Sequence, residues 1–235
     1  MSSGQMKKIA ITIDQEWVPY EVTEWLIHEL DNAGVKATFF ATDEPVHDFG
    51  QHEAALHPNP YRTGSYDFIT EIERLLKIYP DAKGIRMHRL MWDSALEGYF
   101  RGSPFTYASN FMIPGQLVQP FRLGSQVVHY PVFYMDHVEL VNPNQFKVPF
   151  SLESLDISAD GLYVFDFHPN LLFPNAYSEK FYHENIMPVY HNYQALKDIK
   201  HNQRGCLDLF RAVLALKGTP GYTFVTLGEE AGSVV

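Results

Sequence analysis

The feature that most constrains this chain is the rhythm of its apolar residues near the start. Residues 8–13 (KIAITI) are short, apolar and β-branched, the pattern of a buried strand. The next apolar residues, Val22, Leu26, Leu30 and Ala33, recur at intervals of four, four and three. That spacing predicts a helix over Tyr20–Ala33 with one face on a core, Pro19 near its first turn and Gly34 as its stop. KATFFAT (36–42) reads as a second strand, and strand–helix–strand alternation predicts parallel strands with helices outside.

The rhythm continues. EAALH (53–57) is a third strand, and Ser65 is placed to cap a helix carrying Ile69, Ile72, Leu75 and Leu76, ending near Pro80. GIRMH (84–88) is a fourth strand. Over residues 104–149, Pro and Gly punctuate apolar pieces without a clear period, so this stretch is expected to be short strands and loops. LYVFDFH (162–168) is a strong buried strand, residues 193–217 are helical, and YTFVTL (222–227) is the final strand. No repeat, low-complexity tract or linker divides the chain, so residues 1–235 are expected to form one α/β domain, a parallel barrel or open sheet.

Charge and cysteine content narrow the function. A formal net charge of −10, with no Lys/Arg run, argues against nucleic acid and anionic membranes as partners. Cys206 is the single cysteine, so no internal disulfide points to an oxidising compartment. The start, MSSGQMKK, lacks the order of an export signal, and no run is long enough to span a membrane. A cytoplasmic location is expected, where a carbohydrate would be met as a precursor.

Chemistry is suggested by where the polar residues fall. Asp14 and Glu16 follow the first strand, His57 the third, Arg86 and His88 lie at the fourth, and His168 ends the late one. In parallel α/β architectures these carboxyl ends share one rim, where active sites are built. Two imidazoles and a carboxylate form an open coordination set for zinc or a similar divalent ion. A further carboxylate and imidazole would serve as base and acid in metal-assisted hydrolysis.

Each residue has a plainer reading. Asp14 could cap the first helix, Glu16 could be a surface carboxylate, and His57 and His88 could be ordinary loop or strand-end imidazoles. His168 is the best catalytic candidate of the eleven histidines, whereas His28, His47 and His52 have no partner within reach and are expected at the surface. Cys206 is expected to be a small buried hydrophobe. Trp17, Trp92, Phe173 and Tyr177 are candidate sugar-stacking rings, and Asn59 and Asn170, close to two of the histidines, are candidate sugar contacts.

At these residues the chain resembles the polysaccharide deacetylases, the NodB-type carbohydrate esterases. ITIDQEW is similar to the family's first motif, GVKATFF to its strand and helix spelling, HEAALHPN to the second motif, GIRMH to the third and FDFHPN to the last. The resemblance implies a distorted (β/α) barrel of seven parallel strands and metal-dependent removal of N-acetyl groups from an amino sugar or polysaccharide precursor. It implies Asp14 as base, His168 as acid, and Arg86 as the group that orients Asp14. Two positions depart from the family: Gln15 stands where a metal-binding Asp is usual, and Tyr61 where a second metal His is usual. Glu16 and His88 are the candidate replacements, completing a metal set with His57. If the ligands are lost instead, the chain is a sugar-binding protein on a decayed scaffold; a third possibility is hydrolysis of another amide or ester.

Overall fold

The computed structural model describes residues 6–43 and 46–233. The N-terminal MSSGQ, read above as lacking an export signal, lies outside the described residues. Among the described residues nine strands form one parallel sheet: β1 (Lys7–Gln15), β2 (Thr38–Ala41), β3 (Glu53–Leu56), β4 (Gly84–Ile85), β5 (Tyr107–Ala108), β6 (Val128–His129), β7 (Tyr134–Met135), β8 (Gly161–Phe167) and β9 (Tyr222–Phe224). The helices are α1 (Tyr20–Ala33), α2 (Phe68–Leu76), α3 (Ser94–Phe100), α4 (Asp136–Val141), α5 (Pro169–Leu172), α6 (Glu179–Phe181), α7 (Tyr193–Asp198), α8 (Cys206–Leu214) and α9 (Leu227–Gly232).

The order is β6-β5-β4-β3-β2-β1-β8-β7, so the sheet curves as a half-barrel, with β9 paired to β1. β8 covers one edge of β1 from Lys7 to Ile13. The other edge is shared, by β9 along Lys7–Ile9 and by β2 along Thr12–Gln15. This is the expected (β/α) barrel type, with nine short strands where seven were expected. β1 and β8 are enclosed by neighbours and buried along most of their length, which is why both read as continuous apolar runs.

α1 spans the predicted residues. Val22, Leu26 and Leu30 are fully buried, and Gly34 ends the helix with a left-handed φ of +63° that lets its N–H reach Leu30 and Asp31 carbonyls. Four expectations are corrected. Asp67, not Ser65, caps α2 by accepting from the Thr70 N–H, because the helix starts two residues later than expected; its buried face is Phe68, Ile72 and Leu75, with Ile69 45% exposed. GIRMH is extended only through Ile85, and His88 already begins a tight turn. The last strand stops at Phe224, where Thr226 caps α9. His47 and His52 are buried rather than superficial: His47 stacks on Tyr20 at 4.1 Å, and His52 Nδ1 accepts the Ala37 N–H at 3.2 Å. Cys206 is fully buried, as expected, and burial raises its thiol pKa well above the ordinary value.

Candidate metal centre and catalytic cavity

Because every strand runs the same way, the strand ends deliver their polar residues to one rim. β1 contributes Asp14, and just beyond its end stands Glu16, whose N–H turns back to the Asp14 carbonyl at 3.1 Å. Residues at the ends of β3 and β4 contribute His57, Arg86 and His88. The donor atoms of Glu16, His57 and His88 lie within 4.8 Å of one another. His88 Nδ1 is 2.9 Å from Glu16 Oε2, and His57 Nε2 is 3.5 Å from the same oxygen.

These residues fit a metal for a specific reason. Both ring nitrogens of His57, which is 2% exposed, and Nδ1 of His88 are buried and face carboxylate oxygens of Asp14 and Glu16 without a well-aligned hydrogen bond to either. Buried polar atoms are rarely left so, and a ligated cation would satisfy them. Burial pushes the Glu16 carboxyl up, but His57 and His88 outweigh it and hold the pKa well below the usual range, so the group stays an anionic donor. A second group, Asp14, Asp166 and His168, is equally close. There a cation is already present, since Arg86 Nη1 contacts Asp14 Oδ1 at 2.8 Å and Asp166 Oδ1 at 2.5 Å.

Arg86 is fully buried and fully engaged. It also donates to Thr12 Oγ1, to the Ser109 carbonyl and to Ser109 Oγ, and its guanidinium lies 4.1 Å from the Phe40 ring centroid. Against the burial penalty, His57, Arg86 and His168 together lower the pKa of Asp14. Burial first, and the Asp14 charge with it, raise that of Asp166 despite Arg86. One guanidinium thus serves two carboxyls of unequal acidity.

On the other side of Asp14 stands His168. Its Nε2 is 3.9 Å from Asp14 Oδ2, and its Nδ1 contacts Asp136 Oδ1 at 2.7 Å, while its backbone N–H donates to Asp136 Oδ2 at 2.8 Å. Burial alone would lower the pKa of the ring, but Asp136 foremost, with Asp166 and Asp14, raises it to about 10. His168 is therefore a protonated imidazole in the neutral range.

Asp14, Glu16, His88 and His168 open onto a cavity of about 450 Å³, further lined by Trp17, Asn170, Met112, Met135, His137 and Tyr182 among others. Asn170 is 4% exposed and its Oδ1 has no partner. Of the candidate sugar-stacking rings, Trp17 lines this cavity, 37% exposed. Phe173 does not: it is a core residue, 4% exposed, packed edge-on against Trp25. Tyr177 stacks on His201, and Trp92 packs on Phe111; neither lines the cavity. Asn59 sits in a separate, narrower recess with Glu16, Trp17 and His57, its Oδ1 accepting the Tyr61 N–H. Gln15 is directed to Thr42, whose N–H its Oε1 accepts, and Tyr61 is exposed against Tyr66.

Two acidic groups of this site escaped the sequence reading. Asp166 lies in β8, two residues before His168, and strand alternation could have placed both on one face. Asp136 follows β7, a strand of two residues, too short to leave a periodic signal.

The family model described as "WbmS-like: Polysaccharide deacetylase" matches residues 11–186. Among solved structures, one assigned as a polysaccharide deacetylase involved in O-antigen biosynthesis, from Bordetella bronchiseptica, is 25% identical with a TM-score of 0.77, covering 90% of this chain and 91% of that one. A protein assigned as a polysaccharide deacetylase from Mycobacterium smegmatis shares the fold at 16% identity and a TM-score of 0.57, covering 100% of this chain and 92% of that one. No curated protein sequence matches the chain.

Proposed function

Because this chain belongs to the WbmS-like polysaccharide deacetylase family, we propose that it hydrolyses an N-acetyl group on an amino sugar of a surface-polysaccharide precursor, using a divalent ion such as zinc. Glu16, His57 and His88 would hold that ion, which when bound polarises the acetyl carbonyl and acidifies water. The observation that carries the reading is the pair of buried imidazoles, His57 and His88, whose ring nitrogens converge on an ionised Glu16 without well-aligned hydrogen bonds, on one side of Asp14, with a protonated imidazole on the other.

The chain's own residues supply the proton transfers. Asp14 stays ionised beside Arg86 and takes the proton of the attacking water; Arg86 fixes that carboxylate through a charge-assisted hydrogen bond. His168, held by Asp136 at Nδ1, presents Nε2 and gives its proton to the departing amine, so acetate and the free amino sugar are the products. Trp17 offers a ring face, and Asn170 an unsatisfied amide, to the sugar.

Two measurements test this together. Purified protein should carry about one zinc-like ion per chain, and both His57→Ala and His88→Ala should lose it. Acetate release from N-acetylated amino sugars should fall by about 10²-fold or more in Asp14→Asn, with the fold intact by circular dichroism. Protein that binds sugar but neither retains metal after supplementation nor releases acetate would be a binding protein on this scaffold.

A further inference from the structure

The cavity lining includes two residues after His88, Arg89 and Leu90, to which the proposed chemistry gives no part. After His88 the backbone is left-handed at two successive residues, Arg89 (φ +61°) and Leu90 (φ +53°), and Trp17 has φ +51°. Five non-glycine residues among those described have positive φ, and these three all line the catalytic cavity. L-residues avoid this conformation, so the rim is held in a shape the chain would otherwise leave, a device concentrated at binding sites.

What this rim presents is a cation. Arg89 is exposed, lines the cavity, and its guanidinium forms no hydrogen bond or ion pair among the described residues. Arg86, three residues earlier, is by contrast saturated by Asp14, Asp166 and Ser109. The formal net charge of −10 repels anions at long range, so an anionic substrate has to be recognised at short range by a placed cation. The same cavity holds Asn170, buried, with an amide oxygen lacking a partner, ready for a hydroxyl. A cavity of about 450 Å³ has room for a sugar unit together with a charged substituent.

We propose that Arg89 is an anion-recognising residue at the rim of this cavity and that the substrate is an N-acetylated amino sugar bearing a phosphate or a carboxylate. The substrate class rests on the deacetylase reading; the anion contact does not. A planar guanidinium pairs with either group through two parallel N–H donors.

The test uses three probes at fixed ionic strength: N-acetylglucosamine, its 1-phosphate and its uronic acid. Binding is measured by calorimetry and acetate release in parallel, for wild type, Arg89→Gln and Arg89→Lys. Wild type should bind at least one anionic probe about tenfold or more tighter than the neutral sugar. The ratio should collapse towards one in Arg89→Gln and be partly kept in Arg89→Lys; which anion is preferred identifies the substituent. Equal affinity for all three probes in wild type overturns the proposal. So does an Arg89→Gln protein that loses affinity for neutral and anionic sugars in proportion, which would give Arg89 only a part in shaping the loop. Preferential binding without acetate release from any probe overturns the deacetylase reading and leaves the anion site standing, because the binding arm needs no turnover.

Discussion

A guanidinium taken out of water costs several kcal/mol unless its donors and its charge are met. Arg86 meets that condition with two carboxylates, two hydroxyls and a carbonyl, and so anchors β1, β8 and the residue that follows β5 at one point. His168 depends in the same way on Asp136. In the proposed mechanism Asp136 is a positioning residue, so Asp136→Asn should lower kcat about 10²-fold and move the alkaline limb of the pH–rate profile to lower pH, as the imidazolium loses its stabilising charge. Stability carries the same signature. A histidine whose pKa rises from 6.5 to about 10 on folding contributes stability that is fully present below 6.5 and lost as pH rises through 10. The advantage of wild type over Asp136→Asn in denaturant midpoint should therefore be greatest near pH 6 and narrow towards pH 10; an advantage that grows with pH would remove the ion pair from the account.

At the scale of elements, length decided what could be read. α1 has fourteen residues and buries a regular stripe, so its period was visible in the sequence. β4 to β7 have two residues each and carry no period, yet they set the edge of the half-barrel and place Ser109 and Asp136 at the site. Gly84 shows how tightly this edge is packed. A Cβ there would lie 1.9 Å from Tyr107 Cζ, and Tyr107 is fully buried with its hydroxyl donating to Glu53 at 2.8 Å. The ring cannot swing away without breaking that bond, so Gly84→Ala should cost about 1–3 kcal/mol of unfolding free energy. Because β4 leads directly to Arg86 and His88, the same variant should also weaken metal retention; loss of stability with unchanged metal content would separate the strand's packing from the site.

For the whole molecule, the sheet's single strand direction turns residues 74 positions apart in sequence, such as Thr12 and Arg86, into neighbours at 3.0 Å. Ligands in the proposed metal set come from β1 and from the ends of β3 and β4, so an ion bound there ties three parts of the sheet together. At a free zinc concentration 100 times the dissociation constant, linkage predicts about 2.7 kcal/mol of stabilisation. Wild type should show a zinc-dependent rise in Tm that His57→Ala and His88→Ala lack, and a chelator should reverse it. No helix among the described residues is long and apolar enough to cross a membrane.

By itself the sequence determined the alternation of strands and helices, hence the parallel sheet, and through it the rim where Asp14, Glu16, His57, Arg86, His88 and His168 meet. That much was legible because long elements announce themselves by period and strand-end residues share one rim. The candidacy of Glu16 and His88 as ligands of the proposed metal was also open to reading, since both lie two residues from another strand-end group. Only the tertiary structure decided which carboxylates complete the site. Asp136 and Asp166 are defined by contacts to His168 and Arg86, across 32 and 80 positions of sequence, and no local pattern encodes such a distance. It also decided that Phe173 belongs to the core while Trp17 and Arg89 face the cavity, because exposure depends on what the rest of the chain packs against, not on the residue's own type.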